Sequence, residues 1–164
     1  MATFMFKGLD ELEKQLQKLA DSESVRIVCG AAIYAGADTV ADAIKSRIES
    51  IPVIDYRDRG KDTDKISGIL EKQKNGLKES FGITPMAYRD GYYNVKLGFD
   101  GYNSIKTKNF PNGQPNQLIA RAVNSGTSFR EKIPFVDEAV RKAKKNALQN
   151  MTKAFDEELK KQIK

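Results

Sequence analysis

The strongest constraint in this sequence is one helical pattern in its last third. Pro134 stands where a helix can begin without wasting a donor, and Asp137 and Glu138 suit the positive end of the dipole. Val136, Ala139, Val140, Ala143, Ala147, Met151, Phe155 and Leu159 then recur at helical spacing, and Lys160, Lys161 and Lys164 complement the negative end. Caps, charges and period all agree on a long amphipathic helix. Such a helix must lay its apolar face on a partner of similar length, and the chain offers one.

That partner is predicted from about Val25 to Ser50, with Ser24 as its cap and Pro52 preventing continuation. Its inner face reads Val25, Val28, Ala32, Ala35, Gly36, Val40, Ala43 and Ile44. So many small residues let another backbone approach closely, either inside the domain or from a neighbouring subunit through Ala32, Ala35 and Gly36. Upstream, Leu9, Leu12, Leu16 and Leu19 give an amino-terminal amphipathic helix with a narrow apolar seam.

Between these helices the pattern changes. Ile66, Ile69 and Leu70 suggest a short helix ending near the turn dipeptide Asn75-Gly76. Tyr92 to Phe99 alternates and is rich in strand formers, and Arg89-Asp90-Gly91 before it is a hairpin signal. Leu118 to Val123 suggests a helical turn or two, closed by Gly126 as a left-handed cap. The expected fold is therefore α+β: long amphipathic helices (amino-terminal, central and carboxy-terminal) packed with a small antiparallel β-sheet in one domain, 1–164. Two charged or Gly/Pro-rich stretches, 55–64 and 100–117, read as mobile loops.

Chemistry is hard to find in this chain. It has no His and a single Cys, Cys29, which excludes an intrachain disulfide, zinc sites of His and Cys, and His-based triads. Cys29 lies in a small-residue helical stretch and reads as a buried structural thiol. No phosphate-cradling glycine motif occurs. Asp55, Asp58, Asp62 and Asp64 could hold a cation, but Arg57, Arg59, Lys61 and Lys65 interleave with them and offset the charge a metal needs. No catalytic, cofactor or metal site is expected, and no enzyme.

The net charge of +6 and a pI near 9.3 allow a nucleic-acid reading. It would use Arg141, Lys142, Lys144 and Lys145 with Lys106 and Lys108 of the 100–117 loop. On a helix, however, the first four spread over more than half the circumference. Tyr88, Tyr92, Tyr93 and Tyr102 could stack on bases, although apolar cover for the strands accounts for them better. No apolar run approaches the about 20 residues that span a bilayer and the amino terminus lacks a signal-peptide pattern, so a soluble cytoplasmic product is expected.

Taken in order, several segments resemble the gene-product-ten-like tail-completion, or neck, proteins of long-tailed phages and prophages. Phe6-Lys7-Gly8-Leu9-Asp10-Glu11-Leu12 is similar to the family's opening into its first helix. Pro52, followed later by Asn75-Gly76-Leu77-Lys78-Glu79-Ser80-Phe81, resembles its proline and Thr-Gly-x-Leu-x-x-Ser-Ile element, with Asn75 in place of Thr. Val123-Asn124-Ser125-Gly126-Thr127-Ser128 resembles its Val-Glu-Phe-Gly-Thr-Ser turn, and Pro134-Phe135 its Pro-Phe-Leu-x-Pro-Ala helix start.

The resemblance implies a virion structural protein at the head–tail junction, made in the host cytoplasm. It would assemble as a homo-oligomeric ring, a hexamer, between connector and tail-terminator or tube proteins, with DNA only passing through the lumen and no membrane contact. On that reading Gly126 and Thr127 shape the turn and Pro134 and Phe135 anchor the last helix. The two loops, with Lys106 and Lys108, would touch neighbours.

Overall fold

A computed structural model describes residues 22–55 and 65–163. The expected amino-terminal helix and nearly all of the 55–64 loop lie outside the described residues, as do Asp58, Asp62 and Asp64 of the candidate cation cluster. The chain is α+β. Helix α1 spans Ser22–Glu49, α2 Glu71–Ser80, α3 Asn116–Ser125 and α4 Phe135–Ile163. Strands β1 (Phe81–Ile83), β2 (Ala87–Arg89), β3 (Tyr92–Asn94) and β4 (Leu97–Phe99) lie between α2 and α3.

The two long helices run antiparallel. Gly36 faces Met151, Thr39 receives a hydrogen bond from Asn150 Nδ2 at 2.9 Å, and Arg47 pairs with Glu138. Together they form a pair whose two halves are packed differently. At one end, which we call the base, Ala41, Ile44 and Ile48 of α1 and Phe135 and Ala139 of α4 enter a core with Ile51, Ile69, Leu77, Phe81, Ile119, Ala120 and Val123. The other end, the arm, comprises residues 22–40 and 147–163. There the helices meet mainly through Val28, Ala32, Gly36, Ala37 and Ala147, and β3 packs beside α1. By length and composition the stretch Glu23–Glu49 could cross a membrane, but its core-facing residues are packed on α4 and the base.

The carboxy-terminal end of α1 is stopped by local bonds and by α2. Ile51 N–H donates to Ile48 O at 3.2 Å, and Lys74 Nζ caps the exposed carbonyls of Glu49 and Ile51 at 2.7 and 2.9 Å. A lysine at that position also answers the negative end of the dipole. Beyond Pro52 the chain is extended, and Val53 bridges Ile69 in parallel while Ile66 bridges Arg130. Buried Arg130 donates from Nη1 to Gly68 O and ties these connections together.

The structure therefore corrects the short-helix expectation. Ile66 and Ile69 are extended, and the helix begins at Glu71 and runs straight through Asn75-Gly76. Its first turn is held by Gln73, whose Oε1 accepts from Leu70 N at 3.2 Å. Gly76 is there for close approach rather than for a turn. A Cβ at that position would lie 2.6 Å from Asn116 Oδ1 and 2.8 Å from Asn103 Cβ.

The hairpin signal is found at its expected place, with Asp90 and Gly91 both at positive φ (53° and 85°) as the turn requires. The ladder is not continuous, however. Phe81, Gly82 and Ile83 pair with Phe99, Gly98 and Leu97, while Ala87, Tyr88 and Arg89 pair with Asn94, Tyr93 and Tyr92. Three residues, Thr84 to Met86, oppose two, Val95 and Lys96, so the register shifts by one. Pro85 in this interval has no N–H to give a ladder.

Candidate assembly surfaces

The arm presents the first of these surfaces, and its sequence explains it. Alanine and glycine face inward between α1 and α4, so the helix backbones come close. A Cβ on Gly36 would fall 2.5 Å from Met151 Cγ, leaving no room for one. Ala32 is buried and Ala35 half-buried beside Thr39 and Asn150. At Gly36 the small-residue face is filled by Met151 of α4, and Ala32 is buried.

What faces outward instead is large. Val25, Ile27, Tyr34, Leu148 and Phe155 are all exposed, Leu148 by 54% and Phe155 by 40%. Two of these, Val25 and Phe155, together with Val140, were expected on inner faces; periodicity placed them there, and the structure turns them towards solvent. The inner positions on α1 go instead to Ala37, Ala41 and Ile48. Cys29, expected to be buried, is half-buried on α1. The far ends of the arm carry exposed ion pairs. Arg26 donates two hydrogen bonds of 3.0 Å to Glu23, which lower the Glu23 pKa and raise that of Arg26. Lys161 and Gln162 donate to Glu158 and lower its pKa likewise, Lys161 having the larger effect.

The turn and anchor residues sit together at the base. Gly126 has φ 73° and ψ 171°, a conformation only glycine adopts readily but not the left-handed helical cap expected. A Cβ there would also press on Lys132 N at 3.1 Å. Thr127 N–H donates to Arg130 O at 3.0 Å, closing the turn. Pro134 precedes the first helical residue and its carbonyl accepts from Glu138 N at 2.9 Å. Phe135 is buried and meets Phe99 edge-on, with ring centroids 6.1 Å apart. Sequence reasoning missed Asn124. From the last turn of α3 its Oδ1 accepts from Val136 N at 3.0 Å and Asp137 N at 3.3 Å, so one helix caps the next. An Asn shortly before a Gly turn and a helix start was the available signal.

The 100–117 segment is irregular up to Pro115, and Asn116 and Gln117 already belong to α3. It is anchored rather than loose. Asn103 N–H donates to Gln114 O at 2.9 Å, Gln73 Nε2 to Gln114 Oε1 at 2.8 Å, and Asn116 Nδ2 to Asp100 O at 3.0 Å. Lys106 and Lys108 are both exposed on its outer side. Between this segment and α2 lies a polar cleft of about 580 Å³ lined by Lys72, Asn75, Glu79, Ser80, Asp100 and Tyr102, among others. Ser80 Oγ is buried there without a hydrogen-bond partner, so no base is joined to it as a nucleophile would need.

The remaining candidates are dispersed. Arg141, Lys142, Lys144 and Lys145 are exposed around α4. Tyr88, Tyr92 and Tyr102 do not cover the strands as expected: each is more than 60% exposed, and Tyr88 meets Tyr93 at a tilt with centroids 4.9 Å apart. No group of three or more potential metal ligands occurs among the described residues. The chain matches no protein-family model, and comparison with curated proteins and with solved structures gives no match.

Proposed function

We propose that this chain is a non-enzymatic assembly subunit of a phage virion, forming a ring at the head–tail junction between connector and tail proteins. The observation that carries this reading is the arm, where small residues are spent on the intrachain contact and Ile27, Leu148 and Phe155 are left outside. Large apolar side chains displayed along an elongated element are what a subunit interface uses. The resemblance of the Gly126-Thr127 turn and Pro134-Phe135 start to the neck-protein family supports the particular place in a virion. In such a ring the arm of one subunit lies against its neighbour, and the positive charge faces a lumen that DNA traverses.

Light scattering on the purified chain, across protein concentration and salt, tests this reading. A discrete multiple of 18.3 kDa that persists in salt, gives the ring order and is dissociated by Leu148→Lys or Phe155→Lys supports it. A strict monomer that binds DNA, with affinity falling steeply as salt rises, replaces it with a basic nucleic-acid-binding domain using α4 and the 100–117 loop.

A further inference from the structure

The outward face of β1 and β4 carries two glycines in register. Phe81, Ile83, Leu97 and Phe99 alternate inward towards α4 and the core, which leaves Gly82 and Gly98 outward and directly opposite each other. Glycine is the residue a strand can least use: it adds no cross-strand contact and costs backbone entropy. Neither glycine has a positive φ, and a Cβ built on either meets nothing within 4 Å. Among the described residues nothing requires either glycine. Glycine inside a strand commonly marks close approach of another backbone, and no described residue of this chain makes that approach here.

The residues flanking this bare floor point to the occupant. On β1 and just beyond it the outward row is Gly82, Thr84; on β4 it is Lys96, Gly98, Asp100, and the groove they line together with Gln117 measures about 510 Å³. Lys96 is exposed and has no ion-pair partner among the described residues, and Asp100 lies exposed at the opposite end of the strand. Along β4 a cation stands at one end and an anion at the other with only glycine outward between them, a pattern complementary to itself. Turned about a two-fold axis lying in the interface and across the strands, β4 of a second copy sets its Asp100 over Lys96 and its Lys96 over Asp100. We infer that the β1/β4 face is a self-association surface, on which a second copy of this chain packs sheet to sheet with the glycine floors in contact.

The pairing uses a surface separate from the arm. Its small size makes it weak beside stable interfaces of about 1,200–2,000 Å², so the readout is concentration dependence of the mass by sedimentation or light scattering. G82V/G98V is expected to fold at least as stably as the parent, with an unchanged or raised Tm. It should lose the twofold mass step, with the association constant falling about tenfold or more as branched side chains hold the floors apart. K96D alone should weaken pairing in the same direction, and K96D/D100K, which restores the charge pattern in reverse, should recover it.

A parent with no twofold step up to millimolar concentration overturns the inference, and so does a G82V/G98V chain that pairs as tightly as the parent. Loss in K96D without recovery in K96D/D100K overturns the two-fold arrangement. Rings that survive G82V/G98V unchanged keep the ring and discard the pairing. A glycine-sensitive dimer indifferent to Leu148→Lys keeps the pairing and discards the ring.

Discussion

At the base, Ile44, Ile48, Ile69 and Leu77 turn inward; along the arm, Ala32, Gly36 and Ala147 turn inward while Ile27, Leu148 and Phe155 turn outward. Both regions are built on the same two helices, so helix propensity does not separate them. Burying a large aliphatic side chain contributes about 1.5–3 kcal/mol relative to leaving it in water, and an alanine contributes far less. The base is thus where this fold holds itself together. The arm gives up that contribution in return for closely spaced backbones and an apolar exterior.

The sharpest way to break this comparison is to truncate one side chain in each region. Leu77→Ala removes a fully buried side chain from the base and is expected to cost about 2–5 kcal/mol in denaturant unfolding, whereas Leu148→Ala on the arm should stay within about 0.5 kcal/mol. Equal losses would mean that the arm is as tightly packed as the base.

A smaller effect tests the arm's interior. Gly36→Leu, forced against Met151, should cost about 1–3 kcal/mol, and Met151→Ala in the same chain should recover part of it. Additive losses would place the strain elsewhere.

The smallest effect concerns the arm's tip. The lowered pKa of Glu158 means that its pairing supports the folded state above the ordinary value of 4.5 and that this support is lost as pH falls through the lowered folded value. Side-chain NMR should show Glu158 titrating below an unpaired glutamate, and Lys161→Met should bring it back up. The same substitution should leave acid unfolding of the base unchanged, because the pair lies on the arm, away from the base core.

What the sequence disclosed follows from the range of the forces involved. Pro52, Pro134 and Asp90-Gly91 act over a few residues, so the limit of α1, the start of α4 and the hairpin turn could be read directly. Asn75-Gly76 is also a local signal, but the packing of Asn103 and Asn116 on Gly76 overrules it and the helix continues. Periodicity located two apolar faces without revealing how much of each the chain itself would cover. Val25, Val140 and Phe155 consequently emerged on the outside. The small residues at 32 and 36 could have served a neighbour or the domain, and at Gly36 the position of Met151 puts α4 of the same chain against it. The bare glycine floor needed strand register to be seen, since Gly82 and Gly98 are opposite each other only once β1 and β4 are paired.

The contact between Thr39 and Asn150 joins positions 111 residues apart. Closing so large a loop is entropically unfavourable until something shortens it, and the base does so by gathering the strands, α2 and α3 between the two long helices. Folding should then run in one direction, with the base assembling first and the arm zipping outward from Arg47 and Glu138 along α1 and α4. Substitutions at Ile48 or Val123 would slow folding, while those at Gly36 or Ala147 would mainly quicken unfolding. A chain that completes its apolar exterior last displays that surface only once the rest of the molecule is already native.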